Sequence, residues 1–378
     1  MTDKKSLFGA ASILIGTVIG AGFLGIPGVV AKSGFGIGVF YLTFIFLIIL
    51  FMNLLLGEII LRTRGHHQLT GYAHKYLGNG GKLLMSLSQI FGIYFALLAY
   101  LIGISKSISF IFNYGNLNFV LLIGFVVWVL FSFIISFKFN SIRKLLGYGS
   151  LIVIFLILVV AFVKFPYINY ENLNGFNIKN IFLPFGVILF AFLGFSAMPE
   201  IEGYLHGKEK LLRKSLIIGT CTPFFVYLLF VFLVIGVYGN NVSELATFSM
   251  GISVIIFGIF TMSIAYLALS AALKDMYILD FFSSRIKAWF FVVSVPFILF
   301  FILNMLNFVS FIEIISIGGV VSGGLTGILI LLMVREARKK GNRKPEYVLR
   351  IPKWILFLIG LIFVLGIIYE LLNVVGIL

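Results

Sequence analysis

Gly16-Thr17-Val18-Ile19-Gly20-Ala21-Gly22-Phe23-Leu24-Gly25-Ile26-Pro27 sets four glycines and a proline inside an apolar segment, Phe8 to Ala31, that is long enough to cross a bilayer. Glycine and proline both disfavour a helix interior, so the stretch predicts a membrane helix that breaks. A break in hydrocarbon frees backbone N–H and C=O groups that lipid cannot satisfy. It must therefore face protein, water or a bound solute, and the last option makes it a candidate site.

The rest of the chain fits a membrane setting. Of 378 residues, 61% are apolar and 11% charged, and mean hydropathy is +1.16, which excludes an ordinary soluble domain. Eleven stretches reach or approach the ~20 residues a helix needs to cross the hydrocarbon. They are about 8–31, 37–61, 83–111, 117–137, 145–165, 180–204, 214–238, 247–273, 286–306, 309–334 and 354–377. The expected class is an all-α polytopic membrane protein of about 11 transmembrane helices, a single transmembrane domain over 1–378.

The formal net charge is +15, and its placement says more than its size. With the N-terminus cytoplasmic, 24 of the 28 Lys and Arg fall on inner segments, from Lys4 and Lys5 to the Arg335–Lys353 loop. Lys32, Lys164 and Lys179 fall outside, and Lys106 lies within a span. This is the positive-inside asymmetry. It predicts a multi-pass protein of the cell (cytoplasmic) membrane with its C-terminus outside, and it accounts for the charge with no nucleic-acid partner. The 335–353 loop is expected to touch anionic headgroups of the lipid bilayer. Cys221 is the only cysteine and lies in an apolar span, so disulfides and cysteine-rich metal sites are not expected. The first apolar segment is too long and too glycine-broken for a signal peptide.

In the loop after the second span, Thr70 is expected to cap a short amphipathic helix that Gly78 stops. The longer connection Lys164–Lys179 is a candidate lid. The sixth span repeats the break of the first: Gly194-Phe195-Ser196-Ala197-Met198-Pro199 aligns with Gly22-Phe23-Leu24-Gly25-Ile26-Pro27 at an offset of 172. The same offset carries Lys164, at the end of the fifth span, to 336, where the tenth ends. Five helices per unit is an odd number, so the units, about 8–165 and 180–335, must be inverted relative to each other. Two inverted units with broken first helices (1 and 6) mark a secondary transporter with its site at mid-membrane, and 354–377 is an extra helix.

Three stretches also resemble a family. Gly16 to Pro27, Leu56-Gly57-Glu58 to Gly78, and Pro184-Phe185-Gly186 to Tyr204 are similar to amino-acid permeases of the aromatic and neutral amino-acid branch of the amino acid–polyamine–organocation superfamily. The resemblance covers roughly 6–335 and is most specific in the two broken helices. It implies the leucine-transporter-type fold of five plus five inverted helices, working by alternating access.

A half-helix that starts at a break presents unpaired N–H groups and a positive dipole end, which suit a carboxylate. Gly20, Ala21 and Gly22 are small enough for a ligand to approach that backbone. Half-helices that end at a break offer carbonyls, which suit an ammonium group. A ligand carrying both groups is an α-amino acid. Around the breaks, Tyr94 and Leu97 in span three, Phe192, Gly194 and Ser196 in span six, and Met262 and Tyr266 in span eight are expected to line an apolar or aromatic pocket. That environment favours a neutral, hydrophobic or aromatic side chain.

Ionisable groups inside a membrane are functional suspects. Glu200 follows the Pro199 break and is either a proton carrier or a partner of the first helical turn; Glu202 lies roughly 200° away around the helix. Glu58 is expected to pair with Arg62, four residues on. Lys106 either snorkels or forms a gate with Glu313. Lys274, Asp275 and Asp280 read as a solvated cluster. A sodium site of the kind found in the resembled fold would use carbonyls of Gly16 and Ile19 and the hydroxyl of Ser270. Only one hydroxyl is on offer there, which favours H+ over Na+ as the coupling ion, and no other cofactor is expected.

The four histidines, His66, His67, His74 and His206, fall in loops, and no G-x-x-x-x-G-K-[ST] phosphate loop occurs, which argues against an intramembrane redox enzyme and an ATP-driven pump. The spans are too apolar for a pore lined with polar rings. The expectation is a secondary amino-acid transporter, not an enzyme, coupled to H+. The alternatives are a Na+-coupled symporter and an amino-acid sensor on the same fold.

Overall fold

The computed structural model describes residues 3–20, 22–137, 142–281, 284–305 and 310–375; the side chains of 142–151, 153 and 279–280 fall outside the description, as does Ala21. Every regular element among the described residues is helical. Among the described residues nine helices are long and apolar enough to span a membrane, and the bent pair α1 (Asp3–Val18) and Gly22–Ser33, meeting at 48°, makes a tenth. The fifth expected span corresponds to α6 (Ile142–Lys164), whose second half together with the 3-10 turn Phe165–Tyr167 forms a shorter apolar helix, Ile154–Tyr167.

Both breaks follow one recipe. The first span runs as α1, a 3-10 turn Gly22–Gly25, and α2 (Ile26–Ser33) with Pro27 in its first turn. The sixth runs as α7 (Leu183–Phe192), a 3-10 turn Phe195–Ala197, and α8 (Met198–Tyr204) with Pro199 in its first turn. Helix resumes at Ile26 and at Met198, so the offset of 172 holds at the breaks. The reason is local: proline lacks an N–H, and the first helical turn is where none is needed.

Between and after the breaks run α3 (Phe35–Leu61), α4 (Leu69–Ile111), α5 (Leu117–Ser136), α9 (Leu212–Tyr238), a short α10 (Ala246–Met250), α11 (Ile252–Asp280) and α12 (Arg285–Met305). The tenth span is α13 (Phe311–Gly318), a π-helical turn Gly319–Gly323 and α14 (Gly324–Lys340); α15 (Lys353–Val374) closes the chain. The short helix before span three begins at Leu69 with Gln68 as its N-cap residue, so Thr70 lies inside it and is not the cap. Gly78 does interrupt it, at φ 73° and ψ −162°, a conformation that favours glycine.

Burial sorts the helices. In α3, 72% of the most apolar window is buried, against 17% in α15, although their hydropathies are nearly equal. So large an exposed apolar face is stable only against lipid, which makes this a multi-pass membrane protein.

One end of the bundle collects the basic residues. There Glu58, fully buried, is bonded by Arg62 Nε at 3.0 Å, as expected, and also by Arg338 Nη2 at 2.9 Å and Leu349 N–H at 3.1 Å. The 341–352 segment is thereby strapped across that end, and Tyr347 donates to Leu54 O at 2.7 Å. At the other end, the 164–180 connection packs as a lid: Asn169 N–H donates to Gly236 O at 2.9 Å and Asn177 N–H to Ser33 O at 2.8 Å.

Candidate functional site

A single fully buried hydroxyl joins the two breaks. Tyr227, on α9, donates to Val18 O at 2.8 Å and to Ala191 O at 3.0 Å, the carbonyls at which α1 and α7 give out. Its ring stacks on Phe23 at 5.7 Å and meets Phe192 edge-on at 5.2 Å. Val18 O also accepts from Gly20 N–H at 2.8 Å, so both its lone pairs are engaged. The carbonyl ends expected to stand open for an ammonium group are therefore, at these two positions, already taken by protein.

Beside this pin lies a cleft of ≈ 670 Å³, counting the space at its mouth. It follows one face of α4 from Tyr100 toward the basic end, passing Ala96, Gly92 and Ser88 at four-residue intervals. Of the expected residues, Gly20, Gly22, Gly194 and Ser196 line it, and Ser196 is exposed to it. Ala21 lies outside the described residues.

The other expected residues do not line the cleft. Tyr94 points the opposite way around α4, its hydroxyl at 2.9 Å from that of Tyr277 and donating to Phe291 O at 3.1 Å. Leu97 is fully buried in the core. Phe192 packs on Tyr227, Tyr266 on Phe131 with ring centres 4.8 Å apart, and Met262 against Gly103. Tyr100, Ile93, Phe190 and Leu269 take the places assigned to them. The spacing of residues 88, 92, 96 and 100 was the available signal, but an apolar helix gives no mark of which face turns to a cavity.

The two glycines of the first break differ. A Cβ on Gly20 would meet only the Tyr100 hydroxyl at 3.1 Å and Ala265 at 3.8 Å. A Cβ on Gly22 would lie 2.8 Å from Phe190 Cδ1 and 3.0 Å from the Ala191 backbone. Gly22 thus serves the packing of α7 against the break, and a side chain there would strike protein before it filled a ligand position.

The expected gate pair Lys106–Glu313 does not form. Lys106 Nζ lies 3.7 Å from Glu244, in the connection before α10, while Glu313 forms a capping box with Ser310 at the start of α13. Among the ion candidates, Ser270 is fully buried with no hydrogen-bond partner for its hydroxyl, and Gly16 and Ile19 lie buried at the end of α1. Glu200 stands in the first turn of α8. Glu202, two residues on and facing the other way around the helix, accepts from Tyr72 at 3.0 Å and lies 3.1 Å from His66 Nδ1, tying α8 to the loop helix at the basic end. Burial, with the adjacent Glu202, holds the Tyr72 hydroxyl well above its ordinary pKa, so it remains a donor. Lys274 donates to Ile135 O at 2.8 Å, so it is tied to α5 instead of standing in solvent.

Comparison with known proteins agrees with this architecture. The crystal structure of MhsT in complex with L-phenylalanine superposes with a TM-score of 0.65 over 97% of this chain and 98% of that one, at 14% identity, which shows a leucine-transporter-type fold. Glutamine transporter 2 of Aliivibrio fischeri is 29% identical over 263 residues, 64% of this chain and 66% of that protein. The tyrosine-specific transport system 1 of Haemophilus influenzae is 26% identical over 225 residues, 58% of this chain and 55% of its own length. The tryptophan-specific transport protein of Pseudomonas aeruginosa is 27% identical over 252 residues, 60% and 56% of the two chains. The matches thus span between about half and two thirds of these curated relatives, all of which are named for transport and none as an enzyme. The pattern of the tryptophan/tyrosine permease family covers residues 3–247, more than half of the chain and both broken helices, and on that ground the chain belongs to the tryptophan/tyrosine permease family.

Proposed function

We propose that the protein is a secondary transporter of neutral amino acids, hydrophobic or aromatic, working by alternating access with its N-terminus cytoplasmic and C-terminus outside. The observation that carries this reading is that both helix breaks open on one cleft whose lining residues include no charged side chain. A zwitterion suits such a place: backbone groups at Gly20 and Gly22 hold its charged end, and the uncharged walls accept a neutral side chain. The names of the relatives, which specify glutamine, tyrosine and tryptophan, support the same class.

H+ is the coupling ion in this reading, carried by Glu200, one turn beyond the cleft-lining Ser196. The orphan hydroxyl of Ser270 favours a second reading, in which Na+ binds between Ser270 and the carbonyls of Gly16 and Ile19.

Uptake by purified protein in liposomes tests both. A panel of labelled amino acids is offered with a pH gradient and a sodium gradient imposed separately. Accumulation driven by pH and lost in Glu200→Gln supports H+ coupling; accumulation that requires sodium and is lost in Ser270→Ala supports the second reading. Binding without uptake would instead make the protein a sensor.

A further inference from the structure

One wall of the cleft is polar, and its hydrogen bonds run in a fixed order. Ser88 Oγ donates to Ser322 O at 2.8 Å. That spends its one proton, so the 2.8 Å contact between Ser88 Oγ and Thr326 Oγ1 has Thr326 as donor. Thr326 in turn accepts from Gln89 Nε2 at 3.1 Å, and Ser322 Oγ, in the π-helical turn, donates to Gly318 O at the end of α13 at 2.6 Å. No hydroxyl of this wall has a proton left for a ligand. The carboxamide of Gln89 does: its second N–H and its Oε1 lie outside the chain of bonds, and the side chain is half-buried on the cleft.

The wall stands at the depth of the sixth-span break. A Cβ on Gly323 would lie 2.8 Å from Leu193 Cδ2, and the Ser322 hydroxyl packs directly on Gly92. From Tyr100, beside Gly20, to Gln89 the helix rises roughly 16 Å, room for a whole amino acid with a large side chain. An apolar side-chain end placed there would desolvate the Gln89 amide without pairing it. A charged one would be buried beside no countercharge.

We infer that Gln89 reads the end of the substrate side chain, and that the favoured substrates are neutral amino acids whose side chain ends in a group that both donates and accepts a hydrogen bond, a phenol or a carboxamide. This rests on the transport reading above and narrows it.

The test is competition binding to the purified full-length protein with two matched pairs, L-tyrosine against L-phenylalanine and L-glutamine against L-methionine. The expected result is a preference of about tenfold or more within at least one pair, the size of one well-made hydrogen bond. Preference in the first pair assigns the phenol, and in the second the carboxamide. In Gln89→Leu that ratio should fall to about one, with L-tyrosine or L-glutamine losing affinity and L-phenylalanine or L-methionine gaining it, because the unpaired amide is no longer there to be desolvated. Gln89→Met, closer in shape, gives the same readout should Gln89→Leu not fold. Equal binding within both pairs, or a preference that survives in these variants, overturns the assignment alone. Binding of no amino acid by the wild-type protein overturns the transport reading and the assignment with it.

Discussion

The two breaks share a six-residue pattern and a common 3-10 turn into a proline-led helix, yet their glycines do different work. In the first break Gly20 lies at the cleft with just the Tyr100 hydroxyl and Ala265 near its missing Cβ, while Gly22 lies against α7. In the second, Gly194 lets α1 approach, because a Cβ there would lie 2.7 Å from Val18 Cγ2 and 2.8 Å from Leu14 Cδ1. Here the residue that reaches into the cleft is Ser196. A repeated motif thus repeats a backbone path, and the neighbours decide what each position does. Tyr227 makes the two breaks one unit by giving a single proton to both.

The largest effect expected from breaking this arrangement is at Gly22. Gly22→Leu places a side chain against the Ala191 backbone, which cannot rotate away, so a loss of roughly 3 kcal/mol or more in stability is expected. Size-exclusion chromatography after heating should show little surviving monodisperse protein; a normal profile would mean that α7 can retreat from the break. Next comes Tyr227→Phe, which leaves Val18 O and Ala191 O without their shared donor at an expected cost of roughly 2 kcal/mol. An unchanged Tm in that variant would show that the breaks are held together by other contacts.

Gly20→Ala should keep the fold, since the Tyr100 hydroxyl it meets ends a side chain that can shift. It should weaken amino-acid binding by about tenfold, equivalent to ~1.4 kcal/mol. The contrast with Gly22→Ala is the sharper test: affinity should fall in the first and stability in the second, and the same response from both would erase the distinction. Ser196→Ala touches a residue that projects from the backbone into the cleft. Binding should fall there by less than in Gly20→Ala, with Tm unaltered. The smallest effect is expected at Lys106→Ala, where a pair 3.7 Å long and about one-third exposed is worth no more than ~0.5 kcal/mol. Transport close to wild type would agree; its abolition would restore a gating role to Lys106.

Much of this was legible in the chain. Glycine and proline act on the backbone where they stand, so both breaks could be placed to the residue, and runs of apolar residues located the helices. Pairs four residues apart, such as Glu58 with Arg62, follow from helix geometry alone. The partners that came from afar did not. Arg338 is 280 positions from Glu58, and Tyr227 is 209 from Val18. Lys106 meets Glu244, 138 positions on, instead of Glu313, which caps its own helix, and only packing selects between the two carboxylates.

The sequence by itself determined that the chain crosses a membrane many times, that its first and sixth spans break, and which residues interrupt them, because each of these depends on local composition and backbone freedom. Only the tertiary structure decided which face of α4 lines the cleft, that Tyr227 closes two breaks with one hydroxyl, and that Gln89 is left with an unspent amide. The physical reason is the solvent. In water a helix turns its apolar stripe inward and so announces its orientation. In lipid both the core and the surroundings are apolar, so the rotation of each helix about its axis is set by contacts between residues far apart in the chain.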